Sequence, residues 1–174
     1  MDVVKIVVTG PESSGKSWLC EKLAAHFNAP WVPEYARQYL EKNGPDYSFE
    51  TLSTIRKFHL EFQALYLKQK SEIIFLDTDL INFKVWEKIV FGKTHEKLEE
   101  QLRLEEDHRY LLTYPDIPWE PDVLRENPHD RLAIFEAHRE EIEAYGRPYQ
   151  IVKGEGEARL RNAINAIQNL AAIG

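Results

Sequence analysis

GPESSGKS occupies residues 10–17 and follows directly on a β-branched run, VVKIVVT, over residues 3–9. A run of that kind ending in glycine reads as a buried first strand. The octapeptide fits G-x-x-x-x-G-K-[ST], a loop whose backbone N–H groups cradle phosphates when a strand precedes it and a helix follows. Leu19, Leu23 and Phe27, at helical spacing behind it, meet the second condition. Gly10 and Gly15 permit the tight turn, with Glu12, Ser13 and Ser14 completing the cradle between them. Lys16 is placed to reach the β- and γ-phosphates, and the Ser17 hydroxyl to ligate Mg²⁺. The expectation is a triphosphate site, for ATP with Mg²⁺, although nothing in the loop selects the base.

Outward from this loop, strand and helix alternate. Apolar runs at 29–34, 73–79, 108–114 and 148–154 read as four further strands, and helical periodicity marks 49–70, 81–91, 95–107, the stretch after residue 130, and the C-terminal segment. Such alternation predicts an α/β fold: a five-stranded, mostly parallel sheet with helices on both faces, a P-loop NTPase of the nucleoside- and nucleotide-kinase kind. Prolines at 115, 118, 121 and 128 exclude regular helix between strands 4 and 5. So long a loop in a compact domain normally covers a site, so residues 115–131 are expected to form a lid.

The 174 residues suffice for one domain with one core. A formal charge of −7, with no Lys/Arg cluster, argues against a nucleic-acid partner, which would require a basic face. The N-terminal apolar run is interrupted by Lys5 and is too short for a leader or a membrane span, so a cytoplasmic protein without membrane partners is expected. The single cysteine, Cys20, forms no internal disulfide and reads as a small packing residue. His59, His95, His108, His129 and His138 show no ligand-like pairing and read as solvated or hydrogen-bonded.

Parallel sheets bind ligands at the carboxyl ends of their strands. Two strands end there in acids. FLDTD supplies Asp77, which resembles a Walker B carboxylate holding Mg²⁺ with Ser17, and Asp79, equally readable as a substrate ligand or a helix cap. PEYAR supplies Glu34, which can take the proton of an attacking hydroxyl or act as an ordinary helix-start acid, and Arg37, which can pair with Glu34 or touch a phosphate. In the lid, Arg125 and Arg131 can place positive charge on a transferring phosphoryl group, and Trp119 is either a stacking platform or a pin. Five acids accompany the two arginines between Asp116 and Arg131, which suits a neutral or cationic acceptor better than a polyanion.

Taken in order, GPESSGKS, PEYAR, FLDTD and YLLTYPDIPWEPDVLR resemble the ribosylnicotinamide kinase domain of NadR-type proteins and its stand-alone relatives, over nearly the whole chain. The resemblance implies phosphorylation of the ribose 5′-hydroxyl of nicotinamide riboside by MgATP. It places Glu34, Tyr35 and Arg37 on the acceptor side together with Asp79, Trp119 and Asp122. Lys16, Glu34, Asp77 and Arg125 become the catalytic set, Ser17 and Asp77 the metal ligands, and Arg131 a nucleotide contact. Two positions depart from the pattern: Pro33 stands where an aromatic residue precedes the Glu-Tyr pair, with Trp31 on the same side of the strand as a partial substitute, and Val123 stands where glycine is common. Kinases for another nucleoside or small alcohol, and a regulatory ATPase module, are the alternatives.

Overall fold

The computed structural model describes residues 3–105 and 107–171. Its core is a five-stranded sheet of β1 (Val4–Thr9), β2 (Trp31–Val32), β3 (Ile73–Asp77), β4 (His108–Thr113) and β5 (Tyr149–Val152). The strands run in the order β2-β3-β1-β4-β5, every neighbouring pair parallel. β1 lies in the middle, its Val8 level with Asp77 of β3 and Leu111 of β4. The loop that leaves β1 thus emerges between two flanking strand ends.

Alternation along the strands fills two cores. Ile6, Val8, Phe75 and Leu111 point to one face, where α1 (Lys16–Phe27) and α7 (Gly156–Ala171) cover them with Leu19, Leu23, Ala163 and Ile167. Val7, Ile74, Leu76, Tyr110 and Leu112 point to the other face. There α2 (Tyr35–Asn43), α3 (Phe49–Tyr66), α4 (Leu80–Phe91), α5 (Glu96–Leu104) and α6 (Arg131–Ala144) enclose them. Among the described residues, no helix is long and apolar enough to cross a membrane.

Local chemistry sets the boundaries. Ser48 and Thr51 form a reciprocal capping box at the start of α3, and Gly92, at φ 65°, ends α4 in the left-handed conformation that favours glycine. The sequence-based boundaries run long: α3 stops at Tyr66 instead of 70, and α5 at Leu104 instead of 107. The expected apolar face of α3 divides into two. Leu52 and Ile55 are buried in line with Arg56, His59 and Gln63, whereas Phe58 and Leu65 lie largely exposed on a second stripe from which Phe58 and Phe62 pack on Tyr35. In α6 the buried face is Ile134, Phe135, His138, Glu141 and Ile142, and Leu132 turns outward. Helix α2 is signalled in the sequence only by Glu34 as a candidate helix-start acid, because its nine residues bury just Ala36 and Leu40.

Candidate active site

Gly10 sits at φ +144° with its α-carbon against the end of β4: a β-carbon there would lie 2.4 Å from Thr113 Oγ1 and 2.8 Å from the Thr113 carbonyl oxygen. Only glycine fits this approach. Further along, Ser13 (φ 52°) and Gly15 (φ 77°) turn through the left-handed region, the kind of backbone that gathers N–H groups into an anion-binding nest. Gly15 also starts α1 with no side-chain cap and no acid in the first turn, so the helix's positive end faces the loop. Ser14 is fully buried, donates to the Pro11 carbonyl at 2.7 Å and is hydrogen-bonded to Thr113 Oγ1 at 2.6 Å, which ties the loop to β4. Lys16 Nζ lies across the loop on the Pro11 carbonyl at 2.8 Å.

This loop forms one wall of a cavity of about 820 Å³. Glu34, Arg37 and Leu40 form a second wall, Asn82, Val85 and Trp86 of α4 a third, and lid residues 122–127 the roof. Glu155, Gly156 and Arg159 close the far end, beyond β5.

Asp77 stands at the foot of the loop, 1% exposed, accepting a hydrogen bond from Ser17 Oγ at 2.5 Å on Oδ2. Its Oδ1 is buried without a partner. Burial first, then the nearby charge of Glu34, pushes the Asp77 carboxyl up to about 7, against the Ser17 hydrogen bond and the Lys16 charge. An orphaned carboxylate oxygen beside a serine hydroxyl is an all-oxygen donor set that fits a hard divalent cation such as Mg²⁺, which keeps several waters as ligands. The cation's charge would also relieve the repulsion from Glu34.

Arg37 pairs with Asp122 of the lid at 3.2 Å, not with Glu34. Burial lowers the Arg37 pKa, but the hydrogen bond to Asp122 outweighs it and raises it. Glu34 keeps its side chain free of capping duty at the start of α2 and lines the cavity.

Residues 114–130 contain neither helix nor strand, yet the segment is fixed at several points. At its root, Arg159, 1% exposed, donates to the carbonyls of Val152 and Tyr114 and to Asp116. Ser13 Oγ accepts from the Glu120 N–H at 2.9 Å, and Arg131 donates to the carbonyls of Ser13 and Ile117. Arg125, on the cavity wall, donates to the Glu120 carbonyl. Glu12 accepts from the N–H groups of Glu126 (3.1 Å) and Asn127 (3.0 Å). On the opposite side Trp86 Nε1 donates to Tyr47 Oη, which donates to Glu126, both at 2.9 Å.

Asp79, Tyr35, Trp119 and Arg131, and the aromatic substitute Trp31, are not brought to the cavity wall. Asp79 is fully buried: it caps α4 through the Ile81 N–H and accepts from His108 (2.9 Å) and Tyr110 (2.5 Å), leaving no oxygen for a substrate. Tyr35 packs on Phe58 and Phe62, so its place beside Glu34 in sequence sends it to the opposite side of the chain. Trp119 lies under the Arg131 guanidinium, 5.9 Å from its ring centre, and pins the lid; Arg131 is itself engaged by backbone carbonyls. Trp31 packs on the α1 side of the core and does not line the cavity. Conversely, sequence reasoning missed Tyr47, Trp86 and Arg159. The available signal was that α4 follows directly on an acidic strand end, so one face of its first turns must overlook the loop.

The histidines are not solvated as a group. His59 and His138 are buried, and burial drives both pKa values down to about 4. Burial also opposes a charge on His108, but the hydrogen bond and charge of Asp79 prevail and raise its pKa, while Asp79 is lowered by the same pairing. Cys20 is fully buried, and burial lifts its thiol pKa well above the usual value.

A central parallel sheet, a glycine loop opening a helix and an acid at the adjacent strand end define an α/β P-loop NTPase fold. The chain belongs to the AAA domain family, whose model matches residues 5–159. It is 29% identical over 127 residues to the trifunctional NAD biosynthesis/regulator protein NadR of Escherichia coli (strain K12), a match covering 69% of this chain and 30% of that protein. The chain thus spans less than a third of the curated relatives it matches. A crystal structure of NadR in complex with NR superposes with a TM-score of 0.77 at 22% identity, covering 96% of this chain and 51% of that one. Deoxyadenosine kinase from M. mycoides shares the fold over 95% of this chain and 99% of its own, at a TM-score of 0.60 and 14% identity.

Proposed function

We propose that the protein is an ATP-dependent kinase of a small, nucleoside-like alcohol, with nicotinamide riboside as acceptor and nicotinamide mononucleotide as product, acting in NAD salvage in the cytoplasm. The observation that carries the reading is one cavity lined together by the phosphate loop, Glu34 and the aromatic rings of Tyr47 and Trp86 beneath the lid. The likeness to NadR, known also with NR bound, supports this acceptor. The acids around the mouth, Glu34, Glu120, Asp122 and Glu126, suit the cationic ring of that riboside.

In this reading the loop N–H groups, the α1 terminus and Lys16 hold the triphosphate of ATP, and Lys16 exchanges its bond with the Pro11 carbonyl for phosphate oxygens. Ser17 and Asp77 hold Mg²⁺, which supplies charge neutralisation to the phosphates. Glu34 lines the cavity and takes the proton of the attacking hydroxyl, while Asp77, buried off the lining with one oxygen on Ser17, is left to the cation. Arg125, on the roof, has a side chain poised to leave the Glu120 carbonyl for the transferred group. Residues 155–156 lie where the nucleotide base is expected.

The test is an acceptor panel with ATP and Mg²⁺, read by mass spectrometry: nicotinamide riboside, other nucleosides and shikimate. Conversion of the riboside in preference to the rest is expected. Consumption of a different acceptor would overturn the substrate, and ATP hydrolysis unaffected by every acceptor would overturn the kinase reading itself.

A further inference from the structure

A carboxylate within a phosphate-binding loop is an electrostatic liability unless its charge is directed elsewhere, because it would face a polyanion across a few ångströms. Glu12 is such a residue. Its side chain turns away from the nest and accepts the backbone N–H groups of two consecutive lid residues, Glu126 at 3.1 Å and Asn127 at 3.0 Å, with the Asn127 side-chain amide at 3.4 Å. Glu126 in turn receives the Tyr47 hydroxyl, which is held by Trp86 of α4. A continuous chain of hydrogen bonds therefore runs from the phosphate loop, through the lid backbone, to the aromatic side of the cavity.

The neighbouring contacts work in the same direction. Ser13 receives the Glu120 N–H, so two adjacent loop residues grip the lid at points six residues apart. Residues 115–130 have no regular structure, and beyond Tyr114, which donates to the Val152 carbonyl, the segment continues no strand ladder, so an ionised acceptor facing two of its N–H groups is among the stronger bonds available to it.

We infer that Glu12 is a positioning residue: it does not serve the nucleotide but fixes the roof of the acceptor site, so that acceptor affinity depends on a side chain of the phosphate loop. This rests on the kinase reading for its kinetic consequence, though not for its structural one. Glu12→Ala is expected to raise KM for the acceptor about tenfold and to lower kcat less, with the dissociation constant of a non-hydrolysable ATP analogue changed by less than about twofold. Glu12→Gln keeps one acceptor oxygen and is expected to recover most of the loss, which a role in overall folding would not produce.

Hydrogen–deuterium exchange supplies a readout independent of the acceptor. In Glu12→Ala, with ATP analogue bound, the amides of Glu126 and Asn127 are expected to exchange at least tenfold faster while those of β1 and α1 are unchanged. Unaltered exchange at 126–127 would overturn the inference even if the riboside is the substrate. Faster exchange together with no riboside turnover in the wild type would leave the inference standing and overturn the acceptor. Weaker analogue binding with unchanged acceptor KM would also overturn it, returning Glu12 to the nucleotide.

Discussion

Replacing Gly10 with alanine tests the geometry of the loop most directly. At φ +144° an L-residue is strained by roughly 1–3 kcal/mol. The new β-carbon would meet Thr113 Oγ1 at 2.4 Å and the Thr113 carbonyl at 2.8 Å, an overlap of a kind that costs about 1–3 kcal/mol once the neighbours shift. The two together give about 4 kcal/mol, and at roughly 2–4 °C per kcal/mol for a chain of this size the melting temperature should fall by about 8–16 °C. Thr113→Ala removes the nearer clash but also the bonds of Thr113 to Ser14 and the Thr9 carbonyl, so alone it should cost about 2 kcal/mol. In the double variant the two penalties should add to less than their sum, by about 1–2 kcal/mol, because one relieves the other. Thermal and urea unfolding of the four proteins measure the cycle. A Gly10→Ala protein melting within roughly 3 °C of the parent, or strict additivity, would refute the claim that close approach to β4 dictates this glycine.

Two further outcomes follow from the site. Glu34→Gln should lower turnover by about 10²–10⁴-fold with little change in binding of an ATP analogue, measured by steady-state kinetics and calorimetry; retained turnover would remove Glu34 as the base. Acidification through the pH 6.5 to 4 window should cost stability at His59 and His138, because the unfolded chain protonates both near 6.5 whereas the buried rings resist protonation until about 4; Asp77 and Glu105, whose carboxyls burial pushes up to about 7, act in the opposite sense over the same window. Each ring contributes up to about 1.4 kcal/mol per pH unit, so the stability margin of the parent over His59→Gln, measured by urea unfolding, should shrink as the pH falls from 6.5 to 4, and a margin independent of pH would contradict burial of the ring as a neutral group.

The fold was legible because its signals are local and redundant. A β-branched run, a glycine loop and a helix beginning at Lys16 are contiguous in sequence and specify one another. The candidate site was legible where a residue's place follows from the end of a strand or the start of a helix: Asp77 meets Ser17, and Glu34 lines the cavity. It was obscured where neighbours in sequence diverge in space. Asp77 and Asp79 are two residues apart, yet one faces the loop while the other is engaged by His108 and Tyr110 beneath α4. Trp119 and Trp86 exchange the roles that their contexts suggest: the tryptophan in the loop is a pin, and the one in an amphipathic helix lines the cavity. Periodicity cannot separate a helix face covered by the core from one covered by a lid, since both are apolar.

The lid's attachments have a consequence for divergence. Glu12 and Ser13 grip backbone N–H groups of the lid, and Arg131 and Arg159 grip its backbone carbonyls. Backbone groups persist through almost any substitution, so the roof can exchange most of its own side chains without losing its anchorage, as the 91% exposed Val123 in the middle of it illustrates. The frame that holds the lid is encoded outside the segment that is free to vary, which lets a lineage try new acceptors by changing roof residues one at a time while the machinery for the phosphate donor stays fixed.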